Sequence, residues 1–250
     1  MQKHRMSLMN NKMNNSHINI DIVLPCYNPP LGWEKGVITN FRDLQNRHNN
    51  HIFHLYIVTD GSVKGYEEST INFLKTELPE INIVHYIENR GKGYALRYAV
   101  SRCTSKYIMY TDYDFPYTDQ SVDGVIQELH EGFDVVVAER DRCYQRNLTM
   151  FRKFLSYSSH TLNQYILRLN IKDTQGGLKG FNRKGRSIFL ETTVTSFLFD
   201  TEFIYKATHK RNIKISTVKG STKIGIACSN MGFNVLRNEL FNFFKILWHK

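Results

Sequence analysis

The sequence predicts an α/β protein with a mostly parallel central sheet flanked by helices. Three observations lead there. Short β-branched runs alternate four times with helix-length segments, which is the pattern of βαβ units. The runs are apolar nearly throughout, as strands buried on both faces must be. Each run also ends in a polar, glycine-containing or charged turn, and in such sheets ligands bind in the crevice beyond the carboxyl ends of the strands.

The elements follow in order. Residues 1–17, MQKHRMSLMNNKMNNSH, are basic and Asn-rich and lack the apolar stretch of a secretory signal, so they read as a disordered tail. Order begins at Ile18 with the strand INIDIVLP, closed by the turn Asn28-Pro29-Pro30. A helix is expected from Trp33 to about Asn49, and a second strand from His54 to Ser62. Tyr66 to Leu78 suits a helix stopped by Pro79, and Ile81 to Ile87 a third strand. Gly93 to Cys103 has helical apolar spacing, and Lys106 to Asp114 is a strand running into acidic residues. Asp119 to His130 is a further helix and Phe133 to Arg140 a fifth strand. Beyond these, the spacing predicts a long helix over Arg146–Asn170 and a turn at Gln175-Gly176-Gly177. A short strand Leu178–Phe181, a helix within Ser196–Lys210 and a last strand Ile213–Val218 complete the domain.

Composition narrows the class. With 250 residues the chain can bury a large core, and 41% hydrophobic against 22% charged residues excludes a disordered or fibrous chain. A net charge of +10 suits an anionic partner: nucleic acid, a phosphorylated small molecule or an acidic membrane surface. The aromatic content, 14 Tyr and 16 Phe, suits large buried surfaces or a face that meets sugar or lipid. Cys26, Cys103, Cys143 and Cys228 have no metal-ligand spacing and read as free thiols in a reducing cytosol. No run approaches the ~20 apolar residues of a membrane-spanning helix.

Three constellations carry chemistry. Asp112-x-Asp114 closes an apolar strand, where two carboxylates can hold a hard divalent cation and leave positions open for a diphosphate. Asp60-Gly61-Ser62 places a carboxylate at the end of the second strand, able to accept from a base N–H. Asn89-Arg90-Gly91-Lys92-Gly93 puts two glycines and two cations at a helix N-terminus, an arrangement suited to an anion. No Gly-x-Gly-x-x-Gly opens the first helix and no phosphate loop of the Walker type is present, so dehydrogenase and P-loop readings are weak. His48, His51 and His54 repeat every three residues but span a helix end and a strand start, so surface histidines are the better reading.

IVLPCYNPP, TDGS, NRGKGYALRYAV, TDYD, DTQGGLKGFNR and FLFDTEFIYKA, in this order from Ile18 to Ile215, resemble the family-2 glycosyltransferases. Within that family the resemblance is to the polyprenyl-phosphate (dolichyl-phosphate) mannose and glucose synthases. The resemblance implies a GT-A fold over residues 18–230, a UDP- or GDP-hexose donor, Mg2+ or Mn2+, and inverting transfer. It places Pro25, Tyr27 and Asn28 where the first strand meets the nucleotide, Asp60 at the base, and Lys92-Gly93 along the nucleotide pocket. Asp112 and Asp114 fall on the metal motif. Arg140 and Arg152 fall where cations meet donor and acceptor phosphates. Gln175 and Lys179 belong to one signature, Asp200 and Glu202 to another. Three departures stand out. Thr59 replaces a commoner Asp, Phe115-Pro116 follows where a further metal ligand is often found, and the C-terminal spanning segments of some members are absent.

The expected acceptor is a polyprenyl phosphate, whose oxygen is already ionised at pH 7. A saccharide hydroxyl in surface glycan synthesis would instead need a base, for which Asp173 or Asp200 is the candidate. A nucleotidyltransferase also uses paired carboxylates and a metal, but CYNPPLG stands where its basic glycine-rich loop belongs. A nucleic-acid-binding domain fits the charge, yet Arg140, Arg142 and Arg146 come with no recognition module, so no nucleic-acid partner is expected. Residues 231–250 read as an amphipathic helix that suits peripheral contact with a membrane. The same apolar stripe would also suit the domain itself or a second copy in a homo-oligomer. The expected location is the cytoplasm, at the inner face of a membrane.

Overall fold

The computed structural model describes residues 18–140, 171, 173–196 and 198–223. Among these, seven strands form one sheet: β1 Ile18–Cys26, β2 His51–Asp60, β3 Asn82–Tyr86, β4 Tyr107–Tyr110, β5 Val135–Arg140, β6 Lys179–Asn182 and β7 Ile215–Gly220. The helices are α1 Trp33–Arg47, α2 Glu68–Glu77, α3 Lys92–Val100, α4 Asp119–His130, α5 Arg183–Leu190 and α6 Phe199–His209. The strand order is β3-β2-β1-β4-β6-β5-β7. Every neighbouring pair is parallel except those of β6, which runs antiparallel to β4 and β5. The expected long helix over 146–170, Cys143, Cys228, Arg152 and residues 231–250 lie outside the described residues.

Two apolar layers sandwich the sheet. Ile20, Ile22 and Leu24 of β1 pack with Trp33, Val37, Phe41 and Leu44 of α1 and with Val125 and Leu129 of α4. The opposite face carries Val23 and Val58 against Ala95, Leu96 and Ala99 of α3 and Phe199 and Phe203 of α6. The period of two in β1 and the i, i+4 spacing in α1 are what allow each element to serve one layer. Asp21 interrupts β1 but is satisfied. It accepts from Thr104 N–H (2.8 Å), Ser105 N–H (2.9 Å) and Ser105 Oγ–H (2.6 Å), which ties the α3–β4 turn to β1.

β6 reverses because of where it starts. Asp173, in the turn before it, accepts from the N–H of Arg140 at the end of β5, and Ala138 N–H donates to Leu178 O. The chain therefore re-enters the sheet from the carboxyl end and must run back. The strand covers Lys179–Asn182, one residue later than the expected Leu178–Phe181. α5 was not expected. Its start is capped by Asn182, whose side chain accepts from Lys184 N–H (2.9 Å) and Gly185 N–H (3.3 Å).

The sheet opens between β1 and β4 at their carboxyl ends, which is also where the strand order reverses direction. β1 stays paired with β2 as far as Cys26–Thr59, whereas its pairing with β4 ends at Val23–Tyr110. A last bond joins Thr111 N–H to Val23 O. The buried Pro25 sits just beyond, and having no N–H it leaves no donor orphaned by the opening. β4 is correspondingly shorter than the expected Lys106–Asp114, so Asp112–Asp114 form a turn at the mouth of the crevice and not a strand end.

Candidate active site

Three loops are locked together on one side of the crevice. Asn28, with φ +44°, accepts through Oδ1 from Val63 N–H (2.9 Å) and Lys64 N–H (3.2 Å), and its own N–H donates to Ser62 Oγ (3.0 Å). Trp33 Nε1–H donates to Gly65 O at 2.7 Å. Asn28 is thus the pin between the β1 and β2 loops, and its neighbour Tyr27 stands 55% exposed on the rim.

Asp60, buried at the end of β2, holds the next loop. Oδ1 accepts from Tyr86 Oη–H (2.8 Å) and Arg90 N–H (2.7 Å), and Oδ2 accepts from Gly91 N–H (2.8 Å). The N–H groups ahead of α3, expected to be open to an anion, already hold this carboxylate, and Gly93 N–H donates to Thr195 O at 2.8 Å. Gly91 has φ +91°, and a Cβ there would lie 2.4 Å from Thr195 O, so the segment tolerates no side chain. Burial, followed by the Asp60 contact, pushes the Tyr86 hydroxyl well above the usual tyrosine range.

Across the crevice, Lys92 Nζ lies 2.5 Å from Asp112 Oδ1. Burial alone would lower the Lys92 ammonium, but Asp112 and Asp200 outweigh it and raise its pKa. Asp112 Oδ2 faces Gly177, where a Cβ would stand 2.6 Å away. Asp114 is exposed at the rim, and partial desolvation followed by the Asp112 charge raises its carboxyl above the usual range. Two carboxylates that repel each other, with a lysine ammonium standing in on one of them, fit a hard divalent cation. Among the described residues no third His, Cys, Asp or Glu completes a cluster, and a bound diphosphate could supply further oxygen ligands.

Two further ion pairs line the floor. Arg140 grips Asp173 through Nε–H (2.6 Å) and Nη2–H (2.9 Å), and Gln175 N–H donates to the same carboxylate (3.1 Å). Burial opposes the charge, but Arg140 wins and holds Asp173 below the usual carboxylate range. Lys179 Nζ lies 2.6 Å from Asp200 Oδ1, which also accepts from Tyr110 Oη–H. Glu202 accepts from Thr193 N–H (2.9 Å) and Val194 N–H (2.7 Å), and so carries the loop that covers α3. The structure thus gathers Pro25, Tyr27, Asn28, Asp60, Lys92, Gly93, Asp112, Asp114, Arg140, Asp173, Gln175, Lys179, Asp200 and Glu202 at one end of the sheet.

Most of the chain coincides with a known family. Residues 21–187 match the family model for glycosyl transferase family 2. The chain belongs to glycosyl transferase family 2. It is a distant homologue of dolichyl-phosphate beta-glucosyltransferases. Identity is 26% with that of Dictyostelium discoideum, over 85% of this chain and 68% of the relative. With that of Saccharomyces cerevisiae it is 26%, over 81% and 66%. With that of Drosophila melanogaster it is 28%, over 66% and 53%. The family-2 chain therefore spans between about half and two thirds of the length of these curated relatives.

Solved structures share the GT-A fold of this family-2 enzyme. A glucosyl-3-phosphoglycerate synthase from Mycobacterium tuberculosis, in complex with Mn2+, UDP-glucose and phosphoglyceric acid, superposes with a TM-score of 0.66 at 14% identity, over 92% of this chain and 79% of that one. The mannosyltransferase PcManGT from Pyrobaculum calidifontis, in complex with GDP-Man and Mn2+, gives 0.61 at 16% identity, over 95% and 66%.

Sequence reasoning missed several residues of this glycosyltransferase site. Tyr110, Tyr117 and Tyr86 had signals only as apolar strand or loop residues, yet their hydroxyls bond Asp200, Gly177 N–H and Asp60. Thr195 and Arg97 were also missed, although Arg97 Nη1–H donates to Val194 O at 2.6 Å and fixes the loop over α3. Polar tips on large side chains at strand ends were the available clue. At the far end of the sheet, His51 and His130 stack with centroids 4.8 Å apart, while His48 pairs with Asp123.

Proposed function

We propose that this family-2 glycosyltransferase moves a hexose, with inversion, from a UDP- or GDP-sugar to a polyprenyl phosphate. Asp112 and Asp114 would hold a Mn2+ or Mg2+ ion, which when bound neutralises charge on the departing diphosphate. Lys92 would meet the same diphosphate. Tyr27, Pro25 and Asn28 would border the nucleotide, and Asp60 would keep the 88–91 loop in the shape that receives the base. One bond forms, from an acceptor oxygen to the sugar C1, and one breaks, from C1 to the diphosphate oxygen.

The observation that carries the acceptor class is the state of the two candidate bases. Asp173 is held by Arg140 with its pKa lowered, and Asp200 is tied to Lys179 and Tyr110. A carboxylate so engaged is a poor proton acceptor, so an acceptor that is already an anion suits the site better than a hydroxyl. The distant homology to dolichyl-phosphate beta-glucosyltransferases supports the same choice and favours glucose as the hexose. Such an acceptor keeps its tail in a bilayer, which favours work at the cytoplasmic face of a membrane. No helix among the described residues is long and apolar enough to cross one.

The test is turnover by the full chain of radiolabelled UDP-glucose or GDP-mannose with Mn2+ and a polyprenyl phosphate in mixed micelles. Label should pass into a lipid-extractable, mild-acid-labile product, and Asp114→Ala should abolish it. Transfer to free saccharides but never to lipid phosphate would overturn the acceptor.

A further inference from the structure

The Lys92–Asp112 pair holds more than a phosphate contact needs. We propose that Lys92 is an internal cation that keeps Asp112 from free metal and releases it only when a nucleotide diphosphate arrives, so that metal binding depends on the donor. This inference rests on the metal-site reading above.

Geometry carries it. Asp112 is flanked on both sides, bonded to Lys92 Nζ at 2.5 Å through Oδ1 and with Oδ2 beside Gly177, where a Cβ would stand 2.6 Å away. The 176–177 turn is itself fixed, because Gly176 O accepts from the buried Lys179 and Gly177 N–H donates to Tyr117 Oη. The backbone at Lys92 is equally fixed, between the Asp60 bonds to Arg90 and Gly91 and the Gly93 bond to Thr195. What can move is the four-carbon stem of Lys92, whose side chain is 20% exposed beside an Asp112 that is 40% exposed.

A bare divalent cation would meet one carboxylate already neutralised and an ammonium beside it, so its attraction is weakened and repulsion is added. A nucleoside diphosphate changes both. Its oxygens give Lys92 another partner, and they supply the metal ligands that the described residues lack. Lys92 then swings from carboxylate to phosphate, and Asp112 becomes available. The coupling is reciprocal, so metal must strengthen UDP or GDP binding by the same factor.

Mn2+ binding to the full chain, read by electron paramagnetic resonance with and without UDP or GDP, tests this. The wild type should bind Mn2+ weakly alone and at least tenfold more tightly with the preferred nucleotide. Lys92→Met should bind Mn2+ alone about tenfold more tightly than the wild type and lose that factor from the nucleotide enhancement, the part owed to direct chelation by the diphosphate remaining, whereas Lys92→Arg should keep the whole. Lys92→Gln serves in the same role if the Met variant does not fold by circular dichroism. If Asp114→Ala abolishes Mn2+ binding while neutral variants at Lys92 bind Mn2+ no more tightly than the wild type, the coupling is overturned and the metal site stands. If Asp114→Ala leaves Mn2+ binding unchanged, both are overturned.

Discussion

Lys179 and Asp200 form an ion pair inside the protein, 2.6 Å apart, with the lysine side chain wholly shielded from solvent. Burial drives the Lys179 pKa down, opposed first by the Asp200 carboxylate and then by Asp173. The same ammonium donates to Gly176 O, and the next residue, Gly177, lies against Asp112. A charge that never meets solvent thereby fixes the position of the carboxylate that does.

Lys179→Met tests this arrangement. The substitution leaves Asp200 as a buried carboxylate with one donor removed, which costs about 3–5 kcal/mol. Urea unfolding should show a loss of that size, and the double variant Lys179→Met/Asp200→Leu should recover part of it by removing the stranded charge. If Lys179→Met unfolds at the wild-type urea concentration, the pair is no part of what holds the turn.

Asp60→Asn should act through the 88–91 loop. The carboxylate accepts three hydrogen bonds, and an amide would face at least one N–H with its own N–H2. Leaving a buried donor unmatched costs about 1–3 kcal/mol. Nucleotide affinity should then fall by about ten- to a hundredfold, read by calorimetry with UDP or GDP. Affinity within twofold of the wild type would show that the loop's shape does not depend on this carboxylate.

The histidine stack at the far end of the sheet sets a pH dependence. Burial, then His130 and His48, lower the His51 pKa to about 4, and burial also lowers that of His130. His48 and Asp123, Arg47 with Asp119, and Lys106 surround them. The folded form resists protonation that the unfolded chain accepts near pH 6.5. Stability from this stack is therefore complete above about pH 6.5 and is lost as pH falls toward 4. His51 is partly exposed, so after solvent screening the loss is about 1 kcal/mol. Urea midpoints at pH 7.5 and pH 5 should differ less in His51→Gln than in the wild type, and an unchanged difference would clear the stack of any role.

How much of this was legible in the chain depends on range. β1 was plain because Ile20, Ile22, Val23 and Leu24 form a buried apolar run broken only by Asp21, and α1 because Trp33, Val37, Phe41 and Leu44 share a face. The reversal of β6 had no local signal, since the direction of a short strand is set by where the Asp173 turn meets β5. α5 was hidden by Gly185 and three basic residues among its eight, although Asn182 is a good cap. The site's residue types were visible, but its pairings were not. Asp60 to Arg90 and Gly91, Lys92 to Asp112, and Tyr110 to Asp200 each join separate elements, and only the folded sheet brings them within reach.

The last expectation concerns the membrane. Residues 232–250, beyond the described set, carry Phe233, Leu236, Leu240, Phe243, Phe244 and Leu247 at helical spacing, with Arg237, Lys245 and Lys250 largely elsewhere and Trp248 near the end. A stripe of that kind, too short and too charged to span, suits the interfacial layer of a bilayer. A polyprenyl-phosphate acceptor makes the same demand from the other side, because its tail cannot leave the lipid and the enzyme must come to it. The net charge of +10 adds attraction to anionic headgroups, about 1 kcal/mol for each basic residue near the surface. Screening weakens that attraction, so sedimentation with anionic vesicles should fall as salt rises from 0.05 to about 0.5 M. Deleting residues 232–250 should abolish sedimentation while leaving the melting temperature of the catalytic sheet in place. If the truncated chain sediments as well as the full one, the stripe packs on protein instead. If the truncation also lowers the melting temperature, the surface it packs on is the domain itself.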